Sequence, residues 1–364
     1  MSHPERLARA AGDLASSGLD AMIVAPSPDL SWLIGYDPPP LERLTALVVR
    51  PGTDPVLVVP ELERALAADA TAGSPTDLIG WRDGEDPYEI VADLTGRASR
   101  VALADRTWAS HTLALQRAVP TARFEATSEA LPSLRAIKDD AEVDELASAG
   151  HGADTAFSAI VREPFAGRTE RQIAAGLARL LREHGHREVT FTIVGSGPNG
   201  ASPHHEATDR VIGPGDAVVL DFGGRVPAGY CSDITRTVHV GEASADVAEV
   251  HAIVLAAQQA AFDAAGPGVP AEDVDRAARA VIESAGYGER FVHRTGHGIG
   301  LEEHEPPYIV SGNATPLQAG MCFSIEPGVY LENRFGVRIE DIVVVTDDGA
   351  RRLNKAPREL LRVD

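Results

Sequence analysis

Four carboxylates in this sequence stand where apolar strands rarely tolerate charge. Asp221 closes the run Ala217-Val218-Val219-Leu220, and Glu326 closes Cys322-Phe323-Ser324-Ile325 in the same way. Asp233 heads Ile234-Thr235-Arg236-Thr237-Val238, and Glu340 follows Val337-Arg338-Ile339. A buried carboxylate needs a cation, a hydrogen-bond network or a raised pKa. Arg236 and Arg338 are the nearest bases, too few to pair four acids. A metal ion resolves the conflict, and two resolve it better. A nitrogen ligand is at hand in Thr295-Gly296-His297-Gly298-Ile299-Gly300, where flanking glycines let backbone and ligands approach closely. One imidazole and four carboxylates suit Mn, Fe(II), Co or Zn by hardness without choosing among them. Two such ions sharing a water give hydroxide near neutral pH, so the reaction class is metal-assisted hydrolysis.

A second shell of candidates is weaker. His204 lies in Ser202-Pro203-His204, with His205 beside it as a rival, and His304 opens His304-Glu305-Pro306-Pro307. Arg338 shares a strand face with Glu340, and Thr235 shares one with Asp233. His293, His239, His151 and Tyr230 read as core or surface residues, and Cys231 and Cys322 as small buried hydrophobes. Gly195-Ser196-Gly197-Pro198-Asn199-Gly200 has the GxGxxG spacing of a dinucleotide loop. That motif needs a helix to open after it, and Pro198 and Pro203 prevent one. The segment reads instead as a loop that carries His204 into a cleft.

These residues must be positioned by a scaffold, and the scaffold has two modules. The first reads as α/β. Helical spacing runs from Glu5 to Ser17, with strands at Ala21 to Ala25, Ala46 to Val49 and Val56 to Val59. A helix at Glu61 to Ala68, a strand at Val101 to Ala104 and a helix at His111 to Ala118 follow. It contains no cluster of His, Cys or paired acids. The seam is Leu131-Pro132-Ser133-Leu134-Arg135-Ala136-Ile137-Lys138, which sets domains at 1–135 and 139–364. The second module reads as helices (Ala141 to Val161, and one capped by Thr169 and Gln172), strands (Glu188 to Val240), helices (Val247 to Ala264, Ala271 to Ala285) and strands from Phe323 onward. Gly215 to Gly223 and Gly320 to Gly328 share the pattern Gly, five residues, acid, one residue, Gly. Each precedes a second acid-bearing strand, which points to an internal duplication.

Composition narrows the partners. The 364 residues carry a formal charge of -21, and the only lysines are Lys138 and Lys355. So acidic a chain repels phosphate backbones and anionic membranes, which excludes a nucleic-acid or membrane partner. Two cysteines make no disulfide framework. The N-terminal residues contain no apolar signal core, so a cytoplasmic protein is expected.

Taken together, Asp221, Gly229 to Thr237, Thr295 to Leu301, His304 to Pro307, Ile325 to Gly328 and Val337 to Asp341 resemble the pita-bread metallopeptidases. These comprise prolidases (Xaa-Pro dipeptidases), aminopeptidases P and methionine aminopeptidases. The first module more distantly resembles the creatinase/prolidase N-terminal domain. The resemblance implies an α/β N-terminal domain and an α+β pita-bread catalytic domain with an internal pseudo-twofold repeat. It implies five metal ligands, Asp221, Asp233, His297, Glu326 and Glu340, holding two divalent ions, with Mn favoured and Co, Zn or Fe as alternatives. Asp233 and Glu340 match the ligands that span both ions, and Glu326 one that also moves the proton. His204 matches a substrate-contacting histidine, His304 one that stabilises the oxyanion, and Arg338 a substrate-site or supporting arginine. The implied activity is hydrolysis of the Xaa-Pro bond in a short proline-containing peptide by a metal-bridging hydroxide. A homodimer is implied too. A dipeptidase is expected over an aminopeptidase P. The substantial first module argues against a methionine aminopeptidase. The complete ligand set argues against a creatinase-type hydrolase or a catalytically dead peptide-binding module.

Overall fold

The computed structural model describes all 364 residues, which divide into two compact units, Met1–Arg135 and Ala136–Asp364. The first unit is built on a six-stranded mixed sheet. Its strands are β1 (Ala21–Val24), β2 (Ala46–Val49), β3 (Val56–Pro60), β4 (Asp77–Trp81), β5 (Arg100–Leu103) and β6 (Arg123–Ala126), in the order β4-β3-β2-β1-β5-β6. All four residues of central β1 are buried, as expected for a strand covered on both faces. Its helices are α1 (His3–Ser16), α2 (Pro28–Ile34), α3 (Arg64–Ala70), α4 (Pro87–Thr95), α5 (Ala109–Ala118) and the single turn α6 (Thr127–Ala130).

The expected helix at Glu61 to Ala68 begins later. Glu61–Glu63 form a 3₁₀ turn, and the α-helix starts at Arg64. Helix α2 escaped the periodicity reading because Asp29, Leu30, Trp32, Leu33 and Ile34 are all buried, so no polar face marks it. Its one buried acid, Asp29, pairs with Arg135 at 2.5 Å.

The second unit alternates helix pairs with sheets. Helices α7 (Asp140–Ile160) and α8 (Glu170–Glu183) open on the capping boxes Asp139/Glu142 and Thr169/Gln172. They pack Phe157, Ile160, Ile173, Leu177 and Leu181 against Leu220, Phe222, Ile234 and Val238. Those four residues belong to β8 (Ala217–Arg225) and β9 (Cys231–Val240), which form a sheet with β7 (Glu188–Ser196) and, at the far edge, the strand Leu361–Val363. After β7 the GxGxxG segment forms a 3₁₀ turn, Gly197–Ala201, not a helix. Helices α9 (Ala245–Ala264) and α10 (Ala271–Ser284) likewise cover a five-stranded sheet with Val250, Val254, Val274 and Ile282. Its strands are β10 (Gly296–Gly298), β11 (Glu305–Ile309), β12 (Cys322–Ile325), β15 (Asp341–Thr346) and β16 (Gly349–Arg352), ordered β11-β10-β12-β15-β16. A hairpin of β13 (Gly328–Leu331) and β14 (Phe335–Arg338) stands beside it, and Leu361–Val363 is β17. Each large apolar side chain buried in these layers contributes roughly 1.5–3 kcal/mol. No helix is long and apolar enough to cross a membrane.

Strands β10 and β11 were illegible for physical reasons. The first is three residues long and two of them are glycine. The second contains Pro306 and Pro307, which an edge strand tolerates because one row of its backbone groups is unpaired. The two acid-bearing hairpins meet where Glu340 donates its backbone N–H to the Thr235 carbonyl at 3.0 Å. Their acids do not occupy matching rungs. Asp233 pairs with Gly223, two residues past Asp221, whereas Glu340 lies on the rung of Glu326, between the pairs Ile325–Asp341 and Gly328–Arg338.

Candidate metal centre

Each acid reaches the centre from a rigid strand or a strand break. Asp221 and Asp233 stand on the β8–β9 hairpin, where Asp221 pairs with Thr235. Glu326 and Glu340 occupy the interruptions between β12 and β13 and between β14 and β15. His297 is the middle residue of β10, and the glycines beside it are required. A Cβ on Gly296 would strike the Ser324 carbonyl, and one on Gly298 would strike the Pro306 carbonyl. The close approach lets Ser324 serve two site residues. Its hydroxyl accepts the His297 N–H at 3.0 Å and donates to Glu326 Oε1 at 3.0 Å. Glu326 N–H donates to Thr295 O at 2.8 Å, and Thr295 is anchored by the buried Asp275.

The ligand atoms converge in overlapping groups. Oxygens of Asp221, Asp233 and Glu340 lie within 4.8 Å of one another, as do atoms of His297, Glu326 and Glu340 and of Asp233, His297 and His304. Asp233 and Glu340 are therefore the acids shared between groups. His297 Nδ1 sits 3.1 Å from the Gly298 carbonyl, which can only accept, so Nδ1 carries the proton. The Nε2 lone pair is left facing Glu326 Oε1 at 3.2 Å and Asp233 Oδ2 at 3.7 Å. A lone pair aimed at two carboxylates is repelled unless a cation lies between them.

The carboxylates give the same result. Asp221 Oδ1, Asp233 Oδ1 and Glu340 Oε1 are buried and no protein donor reaches them. An oxygen left so costs about 1–3 kcal/mol, more when charged. Burial, then the charges of Glu340, Asp221 and Glu326, push the Asp233 carboxyl well above the usual carboxylate range. Burial, then Glu326 and Asp221, do the same to Glu340. Burial also raises Asp221, against the opposing pull of Arg338. Glu326 runs the other way. Burial opposes its ionisation, but positive charge beside His297 Nε2, a proton there or the cation that would replace it, together with that of His293 and Arg338, holds it down at about 2. The donor set, the orphaned oxygens and the mutual repulsion all fit divalent cations.

Around this cluster lies a cavity of about 580 Å³, with Phe191, Ile193 and Pro203 as its apolar wall. His204 lines it and His205 does not. His205 Nε2 instead donates to Glu170 at 2.9 Å. Glu170, missed by the sequence reading, is fully buried at the start of α8. Its carboxylate accepts from Ser196 N–H and hydroxyl (2.8 and 2.7 Å), Asn199 (3.0 Å) and Thr208 N–H and hydroxyl (3.0 and 2.7 Å). It thus ties down both ends of the loop that carries His204. Burial opposes its charge, but bonds from Ser196, His205 and Thr208 lower its pKa to about 2.

His304 lies against His297, with ring centroids 3.8 Å apart. Burial, then the charges of His297 and Arg294, lower its pKa to about 4. Arg338 lines the cavity but is committed to protein partners. It donates to Asp221 Oδ2 (2.5 Å), the Tyr330 hydroxyl (2.7 Å) and Thr235 Oγ1 (3.2 Å). Thr235 in turn donates to Glu340 Oε2 at 2.7 Å. His293, expected to be a core or surface residue, lines the cavity and bonds Tyr330 at 2.8 Å. Arg236 supports the centre from behind, bonding the Glu340 carbonyl (2.5 Å) while its charge is met by Asp341 (2.7 Å). Tyr330 and Ser324 gave no sequence signal, since a lone Tyr or Ser in an apolar strand looks like any other.

A two-layered unit with its acids gathered on paired hairpins, beside a glycine-flanked histidine, defines a metallopeptidase. The family comparison agrees. Residues 144–347 match the model of metallopeptidase family M24, and residues 6–137 match the creatinase/prolidase N-terminal domain. The chain belongs to family M24. It is 47% identical to the probable dipeptidase PepE of Mycobacterium tuberculosis, over 99% of this chain and 96% of that one. It is 38% identical to the Xaa-Pro dipeptidase of Lactobacillus helveticus, over 95% of this chain and 96% of the other. The crystal structure of dipeptidase PepE from Mycobacterium ulcerans superposes with a TM-score of 0.95 at 46% identity, covering 99% of this chain and 98% of that chain.

Proposed function

We propose that the chain is a cytoplasmic, homodimeric Xaa-Pro dipeptidase, with its catalytic domain at 139–364 and the creatinase/prolidase-like domain at 1–135. Asp221, Asp233, His297, Glu326 and Glu340 would hold two divalent ions, Mn by preference. The observation that carries this reading is the set of three buried carboxylate oxygens without donors, beside a histidine lone pair aimed at acids. The ions would supply a water acidified to near neutrality and a Lewis acid for the scissile carbonyl. The protein's own residues do the rest. Glu326, held ionised, takes the proton from the nucleophilic water and returns it toward the leaving nitrogen. His304, kept neutral, donates a hydrogen bond to the developing oxyanion. His204, on its clamped loop, meets the substrate. Arg338 orients Asp221 and, through Thr235, Glu340.

The test is hydrolysis by protein reconstituted with Mn²⁺. Xaa-Pro dipeptides should be cleaved fastest, Xaa-Pro tripeptides more slowly, Met-peptides least. Chelation should abolish cleavage. If no divalent ion supports cleavage of any of them, the peptidase reading fails and a peptide-binding module replaces it. Faster turnover of tripeptides would make the chain an aminopeptidase.

A further inference from the structure

Three Lys or Arg side chains are buried in the protein, Arg236, Arg338 and Lys138. The 33 basic residues of the chain include just one other lysine, the exposed Lys355. A sequence that turns to arginine almost everywhere thus keeps a lysine at a buried position, where the cation is a compact ammonium on a flexible stem rather than a planar fork. Its Nζ lies 2.6 Å from Glu305 Oε1, and both side chains are 2% exposed. Taking two charges out of water can cost more than their attraction returns, and well-packed apolar replacements are often no less stable. Stability alone therefore gives no reason for the pair.

Its position gives one. Glu305 opens β11 immediately after His304, and Glu305 is buried while His304 is exposed and lines the metal cavity. An exposed ring depends on its backbone for its place, and Glu305 holds that backbone. It pairs with Gly298 of β10, across a bulge that follows His297. A Cβ on Gly300 would come within 2.7 Å of Glu305 Oε1, so this glycine makes room for the carboxylate. Lys138 is anchored in turn. Its backbone N–H donates to the Gly320 carbonyl at 2.9 Å, and Ile137 bridges Met321, just ahead of β12. Strands β11 and β12 flank β10, which carries His297. Lys138 thus braces the two neighbours of the His297 strand against each other, at the residue beside His304. We propose that Lys138 is a positioning residue, which through Glu305 fixes the His304 ring against the metal centre. This inference rests on the peptidase reading and on the oxyanion role given there to His304. Such a ring acts on charge that develops only during the reaction, so displacing it lowers kcat and leaves KM nearly alone.

The test measures kcat and KM on Ala-Pro, metal content and melting temperature. It compares metal-reconstituted wild type, Lys138→Met/Glu305→Leu, Lys138→Arg, His304→Ala and the triple variant. Removing both charges together leaves neither buried alone, so the double variant should melt near wild type and keep its metal. Its kcat should fall about ten- to a hundredfold, the cost of a small misplacement, with KM changed less than about threefold. Adding His304→Ala to it should cost little more than His304→Ala alone. Lys138→Arg keeps the pair charged and guards against a double variant that does not fold. Its broader head displaces Glu305, so kcat should fall about tenfold with metal retained. Wild-type kcat in either folded variant would overturn the proposal. Losses that multiply with His304→Ala would overturn it too, since the pair would then act elsewhere. The same holds if metal is lost in proportion to kcat, which would make the pair part of the scaffold alone. If wild type cleaves Ala-Pro and His304→Ala keeps full kcat, the role of His304 falls and this one with it, while the peptidase reading stands. If wild type cleaves no Xaa-Pro peptide, the peptidase reading itself falls.

Discussion

The two units bury charge in opposite ways. The first unit keeps a core of aliphatic and aromatic side chains, and its single buried acid, Asp29, is paired with Arg135. The second unit buries acid after acid and almost always answers it. Glu305 meets Lys138 at 2.6 Å, Asp341 meets Arg236, Asp275 meets Arg279, Glu142 accepts from Tyr230, and Glu170 collects its ring of donors. The unanswered oxygens on Asp221, Asp233 and Glu340 are exceptions within a region that otherwise satisfies its acids, and they share one spot. Local failure of a rule that holds all round it marks the site better than acidity does.

That contrast can be broken from either side. His297→Ala should be the severest change, lowering metal retention and activity by more than about a hundredfold, since even supporting residues of a metal site cost 10–100-fold. Metal content by mass spectrometry after gel filtration, with turnover measured in parallel, checks it. Ile23→Ala, in the fully buried β1 of the first unit, should cost about 2–5 kcal/mol of stability in denaturant while metal per folded chain stays the same. A loss of metal with Ile23→Ala would deny that the two units are separate in kind.

Acid stability sharpens the comparison further. Glu170 has a pKa of about 2 when folded against an ordinary 4.5, so the folded state binds fewer protons than the unfolded one between those values. Its contribution, about 3 kcal/mol, is complete above pH 4.5 and lost as pH falls toward 2. Melting temperature should therefore fall more steeply over that window for wild type than for Glu170→Gln. The smallest effect is kinetic. Glu170→Gln should lower kcat/KM about tenfold, the loss of one charge-assisted bond, and should add nothing to His204→Ala. Additive losses would show that Glu170 does not act through His204.

Much of this was legible in the sequence, for a reason. An acid inside an apolar strand is a visible anomaly, and so is a histidine between glycines. Asp221, Asp233, His297, Glu326 and Glu340 announced themselves by conflict with their surroundings, and the structure brings all five together. Ser324, Tyr330 and Glu170 agree with theirs, and only three-dimensional proximity gives them a task. His293 was undervalued for the same reason. Arg338 was visible, but its partners across the hairpins were not, because pairing of strands separated by a hundred residues leaves no local trace. Among the elements missed, α2, β10 and β11 lose to burial, brevity or prolines the period that reveals a helix or strand, the half-buried β4 and β6 show no clean alternation, and the short α4 was missed as well.

The central claim is that the exceptional oxygens exist to hold cations. Calorimetric titration of chelator-treated protein with Mn²⁺ tests it most directly. Two ions bound per chain, both lost in His297→Ala, is the predicted result. A chain that binds no divalent ion under these conditions would contradict the account.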